Sequence, residues 1–165
     1  MALQATVFGK LEHKSETKDY LGSKGEVLAT FEVRGVNYKP YQIAMERIRN
    51  IVESRKNAIT EISQNEKSED DLLTESMAAH LIVGWGGVEL SFDKGKTFNA
   101  VEYSVENATT LLNLPTVGME IYKFIMRSAN EIFLDELKSK TELMGKSDNS
   151  TSGVKEPKKA TKSKA

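Results

Sequence analysis

The sequence contains no cysteine, two histidines, three prolines and a single tryptophan among 165 residues. Without thiols there is no disulfide, no thiolate nucleophile and no thiolate metal site, which fits a reducing compartment. No apolar run approaches the roughly 18 residues that a membrane-spanning helix requires. The opening stretch, MALQATVFGKLEHKSE, lacks the basic, apolar and small-residue segments of a secretion signal, so no export is expected. A strong excess of either charge is also missing, since the net charge is −1. At this length one domain with a real core is expected, and two are not.

The small net charge hides an asymmetry. Six of the 23 basic residues and only two of the 24 acidic ones lie in residues 145–165, a local charge of +4. The 17 basic and 22 acidic residues before them leave the body at −5. The tail has one valine and no aromatic residue, too little apolar surface to offset the entropy of ordering, so it is expected to be disordered. Lysine-rich tails attract nucleic acid or acidic partners. The body offers no matching basic face, because Arg47, Arg49, Arg55 and Lys56 are interspersed with Glu46, Glu53 and Glu61. Nucleic-acid binding through the tail is therefore the minor alternative, and it would depend strongly on salt.

Catalytic signatures are wanting as well. His13 lies in an unpatterned stretch and His80 at the end of an apolar helix pattern, neither beside an evident partner. No H-E-x-x-H, D-x-D loop, G-x-S-x-G or P-loop occurs. Asp70 and Asp71 are explained more simply by a helix N-terminus than by a cation. The expectation is a protein that is not an enzyme and carries no cofactor and no metal.

What is present is pattern. Residues 1–25 form a poorly patterned leader. Val27, Ala29, Phe31 and Val33 then alternate with Leu28, Thr30 and Glu32, and Arg34-Gly35 precedes a second short run, VNY, which reads as a β-hairpin. Pro40 sets a helix start, and apolar residues from Ile43 to Ile62 predict an amphipathic helix over about 41–63. A second helix is expected from Ser68 or Glu69 to Gly84, with the glycine as its stop. Trp85 then sits among Gly84, Gly86 and Gly87, and the segment is read as a helix end turning into a strand. Val88, Leu90 and Phe92 share one face of that strand, DKGK turns, and TFNAVEY returns as a second hairpin. Ser104 caps a short helix through the amide of Asn107, and Pro115 starts the last one. That helix is expected to be roughly 28 residues, about 42 Å, with Val117, Ile121, Ile125, Ala129, Ile132 or Phe133, and Leu137 on its core stripe. Glu120, Glu131, Asp135, Glu136 and Glu142 balance its basic residues, so it lacks the cationic face of a membrane-surface helix. The fold class is α+β and mostly helical: an N-terminal hairpin, two helices, a second hairpin, a short helix, a long C-terminal helix, then the tail.

Within residues 26–137 the order of motifs resembles one family. Val83, Trp85, Gly87 and Val88 form a V-x-W-x-G-V stretch. After a turn come Tyr103, then Ser104, Glu106 and Asn107 opening a capped helix that ends in Leu111-Leu112 before a proline. The last helix carries a late Asn130 near Phe133. This series is similar to the tail assembly chaperones of long-tailed phages; the DKGK turn departs from the mostly acidic one of that family. The resemblance assigns residues 26–144 to a chaperone-like domain. It implies a protein of the host cell cytoplasm, absent from the mature virion, that binds the tape measure protein, keeps it soluble and helps recruit tail tube subunits. Trp85, Gly87, Ser104, Asn107 and Phe133 become structural anchors. Met119, Tyr122, Met126 and Leu134 lie off the core stripe of the last helix, and serve either the core or an apolar client. The family also implies a longer, frameshifted form of the chain. Met144-Gly145-Lys146 is encoded ATG-GGN-AAR, so a GGA codon makes G-GGA-AAR, a slippery heptamer at the domain–tail boundary.

Overall fold

The computed structural model describes residues 14–58, 60 and 62–147. His13, Ile59 and Glu61 lie outside them, as do the leader before residue 14 and the tail from residue 148. The chain divides into two compact units, Met1–Leu134 and Asp135–Ala165. The described part of the second is wholly helical, closed by i−4 back-bonds from Ser139 Oγ to Asp135 O and from Thr141 Oγ1 to Leu137 O.

The first unit is built on a three-stranded antiparallel sheet in the order β1-β2-β3. Strand β1 (Ser15–Leu21) pairs with β2 (Val27–Arg34), and β2 with β3 (Ile82–Gly86). An N-terminal hairpin is thus present, but its strands differ from those read in the sequence. The partner of β2 lies inside the supposed leader, and VNY is no strand. Residues 35–38 turn instead into the first helix, with the Tyr38 amide donating to Gly35 O at 3.0 Å. β1 was illegible because its inward positions are Glu16, Lys18 and Tyr20. The first two pair with each other at 2.9 Å and lay their alkyl stems along the sheet, so no apolar alternation survives. Charges on an edge strand also discourage pairing with another chain.

Helix α1 (Lys39–Arg55) stops eight residues short of the expected end. Its outlying isoleucine, Ile62, is 79% exposed, so it adds no buried contact that would extend the helix. Arg55 bonds Lys67 O at 2.7 Å and pairs with Glu66, closing the loop onto the next helix. That helix, α2 (Glu69–His80), begins with a capping box in which Ser68 and Asp71 satisfy each other's amides. It ends at His80, not Gly84. Ile82 and Val83 are β-branched and suit a pleated ladder, and the Arg34 amide already donates to Leu81 O at 2.8 Å.

A second hairpin follows, β4 (Glu89–Leu90) with β5 (Asn99–Ala100), then α3 (Val105–Leu112) and α4 (Gly118–Ser147). On the inner side of the sheet, Ala29, Phe31 and Val33 share one core with Met77 and Ala78 of α2, Leu81 just after it, Leu111 of α3, and Ile121, Ile125, Ala129 and Ile132 of α4. The ends of the expected α4 stripe, Val117 and Leu137, are exposed.

α4 starts at Gly118, three residues after Pro115. Gly118 is buried against the end of α3, and a Cβ there would overlap Leu112 O. Backbone cannot step aside as a side chain can, so Gly118→Ala is expected to cost about 1–3 kcal/mol, measured by urea denaturation; an unchanged midpoint would refute the tight approach.

Candidate partner-binding site

Trp85 answers to the sheet. It lies opposite Phe31 in the β2–β3 register, with Gly84 and Gly86 on the other face across from Glu32 and Thr30. The half-buried indole meets Phe31 edge-on at 6.2 Å and Tyr103 edge-on at 5.4 Å, and its Nε1–H donates to Val101 O at 2.8 Å. The Tyr103 hydroxyl stands 2.8 Å from both Ala78 O and Ile82 O, and burial raises its pKa. Gly87 takes φ +75°, and a Cβ there would stand 3.1 Å from Leu28 O. Ser104 is the N-cap of α3, accepting the Asn107 amide at 3.0 Å, and Asn107 Nδ2 donates to Glu102 O at 2.9 Å. Phe133 is half-buried. His80 is also half-buried, and burial followed by the nearby Arg34 charge lowers its pKa, which favours neutral imidazole.

The four side chains expected to meet a client separate into three places. Met119 and Tyr122 line a groove of about 320 Å³. Leu73 of α2, Leu112 at the end of α3 and Leu114 in the following turn supply the other apolar walls, and Asp70 supplies the one carboxylate. Met119 is 60% exposed there. Burial, then the charge of Asp70, raises the Tyr122 pKa. Met126 is half-buried and turned toward α1, its Sδ accepting the Tyr41 hydroxyl at 3.6 Å; burial and Tyr122 push the Tyr41 pKa up to about 12. Leu134 is exposed. Met144, Gly145 and Lys146 fall in the last turns of α4. The groove was hidden from sequence reasoning because its walls come from three elements. Only the two off-stripe residues of the last helix, Met119 and Tyr122, hinted at it.

A second surface feature was misread. Val88 and Leu90 are buried as expected, but Phe92 is 72% exposed because β4 ends at Leu90. Residues 91–97 fold instead around Asp93, whose Oδ1 accepts the amides of Lys96 and Thr97 and the Ser91 hydroxyl, while Oδ2 accepts the Thr97 hydroxyl. Lys94 and Gly95 supply the two positive φ angles, 62° and 83°. The loop displays Phe92 and Phe98 on the surface. The signal was available in S-x-D-x-G-x-T, an aspartate flanked by hydroxyls and followed by glycine.

Those bonds, the ones from Thr97 first, hold the Asp93 carboxyl down at about 2. A depressed carboxyl supports the loop fully above its unfolded value of about 3.9 and loses that support as pH falls through about 2. The Asp93 carbon resonance is expected to titrate near 2, with the Lys96 and Thr97 amides still protected at pH values between those two; a midpoint at the unfolded value refutes the network.

Among the described residues no helix is long and apolar enough to cross a membrane. The chain belongs to the YdaY prophage protein family, whose match covers residues 36–146, 111 of the 165. It is a phage-related protein on that basis. The matched span starts just after β2, so it takes in every helix and the groove but leaves out the β1–β2 hairpin. No curated protein and no solved structure matches the chain.

Proposed function

We propose that this prophage protein is a tail assembly chaperone that acts by reversible binding and performs no chemistry of its own. The observation that carries this reading is the groove between α2 and the start of α4. It is apolar on most sides, carries Met119 half in water, and has room for a few aliphatic side chains from one face of a client helix. Grooves of that kind take amphipathic helices through anchors spaced three and four residues apart, and an unbranched thioether adapts to a varied client. The resemblance in residues 26–137 supplies the client: the tape measure protein, a very long helical chain with apolar patches. The same reading makes the tail tube protein a second partner, places the work in the host cytoplasm, and keeps the chaperone out of the finished particle. A frameshifted longer form belongs to it, and the gene's nucleotide sequence tests it: any Gly145 codon but GGA, or no open −1 frame downstream, removes the slip at this position.

The test is co-expression with the long helical protein of the same prophage. The chain is expected to hold that client in the soluble fraction. Met119→Glu, which sets a charge in the groove at an exposed position, is expected to weaken the complex at least tenfold, about 1.4 kcal/mol or more. Removing residues 148–165 is expected to leave binding to the client largely intact. If solubilisation follows the tail instead, or if client recovery is indifferent to Met119, the groove is not the site.

A further inference from the structure

The groove has one ionised side chain, Asp70, and no lysine or arginine lines it. Its apolar walls, Leu73, Leu112, Leu114 and Met119, are open to solvent at Met119. The same sequence carries a complementary shape elsewhere. From residue 133 to residue 143 no side chain of α4 is buried, and Leu134 and Leu137 are 52% and 40% exposed. With Thr141 they stand at i, i+3 and i+7, one stripe of a helix. At 100° per residue Lys138 and Lys140 flank that stripe, one on each side, while Asp135, Glu136 and Glu142 lie further round. A helical stretch this short with an exposed apolar stripe is marginal in water, because helix stability in proteins comes mainly from packing.

Leu134 cannot reach the groove of its own chain while α4 is unbroken, since it stands fifteen residues along the same helix from Met119, about 22 Å at 1.5 Å per residue. A second copy can supply it. We propose that the C-terminal half of α4 from one copy seats in the α2–α4 groove of another, with Leu134 and Leu137 entering the apolar walls and a flanking lysine facing Asp70. The contact is heterologous: the surface that gives differs from the surface that receives. Such contacts build rings or open chains rather than two-fold dimers. Self-seating also keeps the groove covered when no other helix is present.

The proposal concerns the chain alone, so its test needs no client, and its failure leaves the chaperone reading untouched. Sedimentation of the full-length chain is expected to show mass rising with concentration. Met119→Glu removes the receiving surface and Leu137→Glu the giving one. Each alone is expected to weaken association at least tenfold, and circular dichroism is expected to stay unchanged because both positions are exposed. Mixed in equal amounts, the two variants are expected to form a dimer and nothing larger, since one still offers a helix and the other still offers a groove. Should either variant fail to fold, Asp70→Lys or Leu134→Glu replaces it at another exposed position. A wild-type chain that stays monomeric, a variant that associates as well as wild type, or a mixture that remains monomeric each overturns the proposal; a symmetric helix-to-helix contact gives the second, with Met119→Glu associating as wild type does.

Discussion

Phe31 touches three other rings: Tyr20 at 6.4 Å, Trp85 at 6.2 Å and Phe124 at 5.9 Å. It is 1% exposed, and those neighbours come from β1, β3 and α4. Trp85 passes the contact on to Tyr103, whose hydroxyl bonds the carbonyls at the junction of α2 and β3. Edge-on ring pairs add about 0.5–1.5 kcal/mol each beyond the area they bury. More important here is what they join. The segment leading into α3 is hung on the tryptophan and tyrosine, and α3 in turn delivers Leu112 to the groove and its carbonyl to Gly118. The position of the α3 wall of the groove therefore depends on a cluster at the sheet.

How much of this the sequence discloses varies with the kind of force involved. Helices with a wide apolar stripe or a side-chain cap were legible: the Ser104 cap, the start of α2 near Ser68 and the long α4 all rest on local chemistry. β1 was not, because Glu16 and Lys18 occupy inward positions and only pairing with β2 gives them a place. The end of α2 was misplaced for a related reason. Leu81, Ile82 and Val83 continue a helical pattern well enough, and the decision for a strand comes from the free edge of β2, which no local rule contains. Gly84 was read as a stop signal, yet it and Gly86 lie within the strand, on the face opposite Trp85. The candidate site was half legible. Periodicity separates Met119 and Tyr122 from the core stripe, but it says nothing about Leu73 or Leu114, and it groups them with Met126, which Tyr41 claims instead.

Charge is used twice in the molecule, and differently. Asp71 and Asp93 are spent on backbone amides, where a carboxylate accepts several bonds and holds a local shape. Asp70, next to one of them, stays exposed at the rim of the groove. The family match spans this whole helical portion and omits the hairpin that carries Phe31. The sheet thus contributes the core on which the matched portion is mounted, while the groove lies wholly inside the match.

Because the chain has a single tryptophan, its indole is a private optical gauge. It reads the ring cluster and the Val101 carbonyl, while the groove carries only a tyrosine. Emission excited at the red edge of the absorption band therefore follows the integrity of the scaffold and is silent about occupancy. An indole brought in by a visiting helix would add a signal of its own, so loss of folding and loss of docking can be told apart in one cuvette.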